Sequence, residues 1–480
     1  MGASESTFQD EIQYVTNIQG LPTNSSSPTD TWIVTYKTPG EHEMKLFWKM
    51  FITADFITSS SLSIQALQYE IHVYKDIITP LIIHNVCPFF VKYIHHYNNV
   101  THAELVKLTG DEINITLNKI YLIFQSLNNT NDMKTKLKHS IDNISGNNNT
   151  KKSKRQVVSM IRERNNDITY SILITEATKS NTFTLSQFIS IASTATFYQD
   201  FLSIYLQIAI ACYTLSLSKT NHNDLHAGNV FVSKLPTRKT FIFTMNDDSY
   251  SFTSPYQVSI YDFDRAFVSR FENKNLLLNT VCSSGQCNNF IPLLDIFKIS
   301  CYLADKPALA NLIYPLLTTS QNNANKLHDF YKTNTTKCFF SQDGLNDKLN
   351  LWMKPYPRII QTIFAKLTTT PTTSSLPQVR FLIHTDHFDS ITGVLDIAKQ
   401  TTAFENFTSR LPTVDVTPPP TEVYVPPPTE EIHLSDFSDA LEDEKKSSVY
   451  ATATVTTDGK GKGKGKGKGK SKGKSRRKRN

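Results

Sequence analysis

His222-Asn223-Asp224-Leu225-His226-Ala227-Gly228-Asn229, running on into Val230-Phe231-Val232, is the stretch on which the reading of this 480-residue chain turns. It directly follows a long amphipathic helix in which Phe201, Ile204, Tyr205, Ile208, Cys212 and Leu215 recur on one face. An Asp and an Asn five apart, on a loop between a helix and a strand, can do two jobs at once. The carboxylate of Asp224 accepts the proton of an attacking hydroxyl, and the amide oxygen of Asn229 coordinates Mg²⁺. The matching half lies downstream in Val258-Ser259-Ile260-Tyr261-Asp262-Phe263-Asp264. Asp262 ends an apolar strand and suits the principal Mg²⁺ ligand, because Mg²⁺ takes one or two carboxylates with phosphate oxygens and water.

Two upstream charges fit the same chemistry. Lys49 is a lone cation within Lys45-Leu46-Phe47-Trp48-Lys49-Met50-Phe51-Ile52, an apolar, strand-like run. Glu70 sits between Leu67 and Ile71 on a helical stripe that continues through Tyr74 and Ile78. A carboxylate on an inward stripe needs a partner, since an unpaired buried charge is costly. A Lys49–Glu70 pair is therefore expected, with the ammonium positioned for the α- and β-phosphates of ATP.

This ordered series resembles the protein-kinase-like superfamily, whose catalytic loop reads HxDxxxxN and whose metal motif is DFG. A narrower set of motifs resembles the serine/threonine protein kinases of nucleocytoplasmic large DNA viruses. These are Glu70-x3-Tyr74-Lys75, Asn85-Val86-Cys87-Pro88-Phe89-Phe90, HNDLHAGN, YDFD and Cys282-x4-Cys287-Asn288-Asn289-Phe290 before Asp295. The resemblance covers about residues 12 to 400 and implies an α+β, bilobal protein-kinase-like fold with a β-rich N-lobe and a helical C-lobe. It implies a Mg²⁺-dependent enzyme that moves the ATP γ-phosphate to Ser/Thr hydroxyls of a protein substrate. Asp224 is then the proton acceptor, Asn229 and Asp262 hold metal, and Lys49, held by Glu70, orients phosphates. Backbone groups of Thr175, Glu176 and Ala177 meet adenine, and Gly20 covers the phosphates. Asp295 braces the catalytic loop, and His222 and His226 support it. The setting implied is the host cytoplasm (a viral factory) or the virion.

The pattern also departs from that family. Outside residues 459–480 only nine glycines occur, and none are spaced as GxGxxG or GxxxxGK[ST]. Asp264 takes the third position of DFG, no APE motif follows, and only about 30 residues separate Asp262 from Asp295. A pseudokinase or virion scaffold of the same fold is one alternative. A small-molecule phosphotransferase is another, because HxDLHxxN is equally the form of aminoglycoside and choline phosphotransferases.

Composition divides the chain into a body and an end. Lys and Arg total 50 against 43 Asp and Glu, a net +7. Nine Lys and three Arg fall in residues 459–480, without an acid, so residues 1–458 keep 38 basic against 43 acidic residues, or −5. A uniformly basic, histone-like protein is excluded. Residues 12–177 read as the N-lobe, interrupted at 126–167 by a solvated Asn/Lys-rich insertion, and residues 178–410 as a helix-rich C-lobe. Residues 411–480 read as a disordered tail: a repeat (VTPPPTEV, YVPPPTEE) suited to polyproline II, an acidic stretch with Leu434, Phe437 and Leu441, then six Gly-Lys pairs. The cationic end suits salt-sensitive, sequence-blind contact with nucleic acid, an anionic membrane or acidic proteins, and RRKR suits nuclear import. Met1-Gly2-Ala3-Ser4-Glu5-Ser6 fits N-myristoylation at Gly2, which with the basic end would make a two-signal membrane anchor. Ser435 and Ser438, each followed by Asp, are candidate phosphorylation sites.

Six cysteines are too sparse for a disulfide scaffold and no signal peptide opens the chain, which suits a reducing cytosol. Cys212 reads as plain core. No apolar run reaches the roughly 18 to 20 residues of a transmembrane segment. His222, His226, Cys282 and Cys287 make a weaker zinc candidate, and Arg265 a residue that steadies the segment after Asp262.

Overall fold

Alternation shapes the first half of the chain. In the computed structural model, β1 (Val15–Gly20), β2 (Thr29–Lys37), β3 (Glu43–Ala54), β4 (Tyr93–Thr101) and β5 (Ile168–Glu176) form one antiparallel sheet in the order β1-β2-β3-β5-β4. The structure describes residues 8, 13–21, 29–37, 43–54, 62–109, 168–178, 181–190, 195–273, 289–333, 345–367 and 376–409. Gly2, the 126–167 insertion, Cys282, Cys287 and the tail with Ser435 and Ser438 lie outside the described residues. The described residues belong to one compact unit, Met1–Val416.

Because side chains alternate across a strand, β3 carries two unlike faces. Leu46, Trp48 and Met50 join Trp32, Val34, Tyr36, Tyr97, Ile172 and Ile174 in a small core on one side of the sheet. Leu105, from the helix His102–Thr109, and Phe8 close that core, with the Phe8 ring 5.1 Å from Tyr97 and 5.8 Å from Trp48. The other face carries Lys49, and there Phe51 and Leu173 join the main core with Leu67, Ile71 and Tyr74. β5 lies between β3 and β4, buried on both faces, which is why Ile172-Leu173-Ile174 is apolar without alternation.

The helix connecting β3 to β4 carries Glu70. It runs Leu62–Val73, widens into a π turn at Tyr74–Ile78 and resumes at Thr79–Ile83. Pro80 accounts for the widening, since proline removes the donor that would reach the Asp76 carbonyl and its ring crowds that turn. Thr79 N–H bonds instead to Tyr74 O, and Arg270 Nη2 donates to Asp76 O at 3.3 Å.

The second half is less helical than its sequence suggests. Short strands β6 (Thr182–Thr184) and β7 (Thr220–Asn221) flank the helix Ala195–Leu217. A long hairpin follows, β8 (Val230–Met245) and β9 (Asp248–Ile260), and β10 (Phe267–Val268) pairs with β7. β6 adds antiparallel to β8 on one side and β11 (Gln378–Ile383) adds parallel on the other, giving a second, four-stranded sheet. Pro236, Pro255 and the charges Lys234, Arg238 and Lys239 break the alternation, and the register shifts between Lys234 and Lys239. Among the described residues, further α-helices are Leu185–Ser190, Leu294–Cys301, Pro307–Leu317, Gln321–Thr333, Leu345–Trp352, Tyr356–Phe364 and Ile397–Ser409. The architecture is mixed α+β, with a β-rich N-terminal region and helices after it.

Phe197–Leu217 bears on the expectation of no transmembrane segment. Its 21 residues are long and apolar enough, at mean hydropathy 1.4, to cross a membrane. Some 83% of its apolar window is buried inside the protein, so it serves as a core helix, in keeping with a chain that has no transmembrane segment.

Candidate active site

The polar residues singled out in the sequence converge from four elements. Lys49 on β3 places Nζ 2.8 Å from Glu70 Oε2 and 2.6 Å from Asp262 Oδ1, bridging a helix of the first half and a loop of the second. Glu70 is 1% exposed, and its other oxygen, Oε1, accepts from Phe263 N at 3.3 Å. Burial opposes a charge on Lys49, but Asp262, Glu70 and Asp264 outweigh it and hold the ammonium well above the ordinary lysine range. Burial pushes Glu70 up to about 7 against the pull of Lys49. Burial also acts against charge on Asp262, yet Lys49 beside it, with His222 and Arg265, brings it down to about 2. Asp264 is pushed up to about 6 by burial and by the Asp262 charge.

Asp262 itself is held in an uncommon backbone conformation, φ 71°. Tyr261 N bonds to Asn229 O at 3.3 Å on one side and Phe263 is fixed by Glu70 on the other, so the carboxylate is aimed by its neighbours. Phe263 sits between Tyr74 (ring centroids 5.3 Å apart) and His222 (4.8 Å), which joins the Glu70 helix to the Asp224 loop through three packed rings.

The Asp224 loop is braced from beneath. Asp295, 1% exposed at the start of the helix Leu294–Cys301, accepts from His222 N (2.9 Å) on Oδ2 and Asn223 N (3.1 Å) on Oδ1. Lys298, one turn later on that buried helix, donates through Nζ to Asn223 O. Sequence reasoning found Asp295 and missed Lys298. The available signal was a second charge three residues on, within an otherwise apolar helix. His222 Nε2 is bonded to Tyr261 O at 2.8 Å. His226 Nδ1 accepts from Gly228 N at 3.0 Å, which leaves the ring proton on Nε2, and burial holds the ring below the ordinary histidine range. Gly228 is required here, because a Cβ would lie 2.7 Å from His226 Cε1. Asn229 Nδ2 donates to Asp224 O at 3.0 Å and stands 3.5 Å from Asp262 Oδ2.

The oxygens of Asp262, Asn229 and Asp224 are hard donors, and one carboxylate with an amide fits an ion that keeps water and phosphate ligands. Among the described residues no group of three or more His, Cys, Asp or Glu side chains gathers as a metal cage. A zinc site is not assembled by the described residues: His222 and His226 each commit a ring nitrogen to the loop, and Cys282 and Cys287 lie outside them.

Two expected nucleotide contacts look different in place. Glu176 N donates to Lys92 O at 2.8 Å and Ala177 N to Lys45 O at 3.4 Å, so these amides serve the sheet rather than a bound base. Thr175 is buried, paired with Tyr93 and Phe47. Gly20 ends β1 opposite Trp32, where a Cβ would make only ordinary contact at 3.5 Å. Phe231 and Tyr261 stack at 4.0 Å and 4°, an aromatic pair next to Asp262 in the chain. Neither protein-family models nor curated proteins provide a match to this chain.

Proposed function

We propose that the chain is a bilobal, protein-kinase-like phosphotransferase that moves the γ-phosphate of ATP to a Ser/Thr hydroxyl of a protein. The observation that carries this reading is Lys49 Nζ held at 2.8 Å by Glu70 and at 2.6 Å by Asp262. Such a bridge sets a cation beside the site where phosphates would lie and ties it to a metal-binding carboxylate. The five-stranded sheet with its Glu70 helix supports the N-lobe assignment, and the helices beyond the Asp224 loop support the C-lobe.

In this scheme Lys49 orients the α- and β-phosphates, and Asp262 and Asn229 supply the protein ligands to Mg²⁺. Bound Mg²⁺ neutralises charge on the transferring phosphoryl group. Asp224 takes the proton from the substrate hydroxyl as its oxygen bonds to the γ-phosphorus and the bond to the ADP oxygen breaks. The chain's basic end serves location: it would hold the enzyme near nucleic acid, an anionic membrane or acidic proteins.

The test is incubation of purified protein with radiolabelled ATP, a generic basic protein and a cell lysate. Label on protein Ser/Thr, absent with Asp224→Asn, is the expected result. A second reading, a small-molecule phosphotransferase, draws on the HxDLHxxN form of the Asp224 loop, which serves transfer to small acceptors as well as to proteins. Label confined to small metabolites would decide for it. MgATP binding without transfer to any acceptor would instead indicate a pseudokinase.

A further inference from the structure

The Asp224 loop carries no Lys or Arg between His222 and Asn229. A general base that receives a proton beside a transferring phosphoryl group needs a fixed orientation and a nearby positive charge. Both come from outside the loop. Arg265 Nη1 donates to Asp224 Oδ2 at 2.9 Å, and the two side chains are 28% and 19% exposed. Such a charge-assisted bond occupies one carboxylate oxygen and leaves Oδ1 as the remaining acceptor.

Surface ion pairs of this length are often incidental. This one is built. Asn223, 4% exposed and at φ 61°, donates through Nδ2 to Arg265 O at 3.2 Å. Asn273 Nδ2 donates to Asp264 O at 3.1 Å and to Ala266 O at 3.0 Å. Three successive carbonyls, 264 to 266, are therefore held by two side-chain amides, one of them anchored in the Asp224 loop. The guanidinium is consequently presented by a clamped turn, and the same Asn223 residue is gripped at its own N–H by Asp295 and at its carbonyl by Lys298.

We infer that Arg265 is the positioning residue for Asp224, presented by Asn223 and Asn273, and that it supplies from the metal-motif segment the cation the loop lacks. The inference rests on the phosphotransferase reading. Arg265 acts through Asp224 and makes no claim on ATP itself.

The experiment compares wild type, Arg265→Lys, Arg265→Ala and Asn273→Ala for transfer kinetics and for MgATP binding. Arg265→Ala is expected to lower kcat roughly 100-fold, with KM for ATP within about 2-fold of wild type. Ethylguanidine added at millimolar concentration should restore at least about 10-fold of that loss, which a merely structural role would not allow. Arg265→Lys should retain intermediate activity and Asn273→Ala should lose roughly 10-fold, since the turn no longer holds the guanidinium. A kcat for Arg265→Ala within about 3-fold of wild type would overturn the inference. So would a large loss that ethylguanidine leaves untouched while MgATP binding is intact. If wild-type protein transfers no phosphate to any acceptor, the functional reading fails instead. The pair is then read from thermal midpoints: the cost of Arg265→Ala should be smaller in an Asp224→Asn background, and an equal cost would show the contact absent.

Discussion

At the scale of single residues, the site is an arrangement of like charges kept apart by two cations. Glu70, Asp262 and Asp264 crowd one another, and Lys49 lies between the first two at hydrogen-bond distance. Removing one partner of such a buried pair strands the other, at a cost of about 3–5 kcal/mol. The raised Glu70 gives this a pH signature. Its folded value of about 7 exceeds the ordinary 4.5, so the folded protein binds that proton more tightly. The resulting stability is complete below about 4.5 and is lost as pH rises through about 7. The unfolding free energy of wild type should therefore fall between pH 5 and pH 8 by roughly 1–3 kcal/mol more than that of Glu70→Gln. An equal fall in both proteins would contradict the burial assigned to Glu70. Lys49, Glu70, Asp224 and Asp262 are legible in the sequence, because each is a charge where apolar periodicity or a tight polar motif makes it conspicuous. Arg265 is legible only as a residue that steadies the segment after Asp262, since nothing in the run Asp264-Arg265-Ala266 announces that the Asp224 loop lies against it.

At the scale of elements, the connections between polar residues are carried by irregularities. Pro80 forces the π turn that follows Glu70, and Arg270 fills the bond the proline cannot make. The β8–β9 hairpin turns on Asn246-Asp247, with Asn246 at φ 54°. Asn246 Oδ1 also accepts from Thr385 N at 3.1 Å, which fastens the hairpin tip to the turn after β11. Asn246→Ala should cost about 1–2 kcal/mol, chiefly from the left-handed backbone, since the exposed Thr385 amide turns to water when its partner is lost. Urea unfolding measures it, and a change under about 0.3 kcal/mol would show that the tip is not constrained. This hairpin is also where sequence reading fell short. The two-residue Asn-Asp turn between Phe241, Phe243, Met245 and Tyr250, Phe252 is a hairpin signal, but the prolines and charges beneath it mask the strand period. The helix Ala195–Leu217 and β5 were readable for the opposite reason: the helix keeps its apolar residues at helical spacing, and β5, covered on both faces, is apolar through Ile172-Leu173-Ile174.

At the scale of the whole molecule, the body and the cationic end have separate physical characters. Residues 1–458 carry −5 and the full chain +7. Deleting 459–480 should abolish retention on a phosphate-bearing matrix at low salt and leave transfer by the folded unit within about 2-fold. Loss of transfer on deletion would make the end part of the enzyme. The ordered path from Lys49 through Glu70, Phe263, His222 and Asp295 is what makes distant stretches of sequence one site, and the sheet and helices serve to hold that path. The most direct measurement is the rate of γ-phosphate transfer by wild type and by Asp262→Asn at saturating MgATP. The account predicts measurable transfer by wild type and a loss of at least roughly 1000-fold in the variant. Equal rates in the two proteins would contradict it.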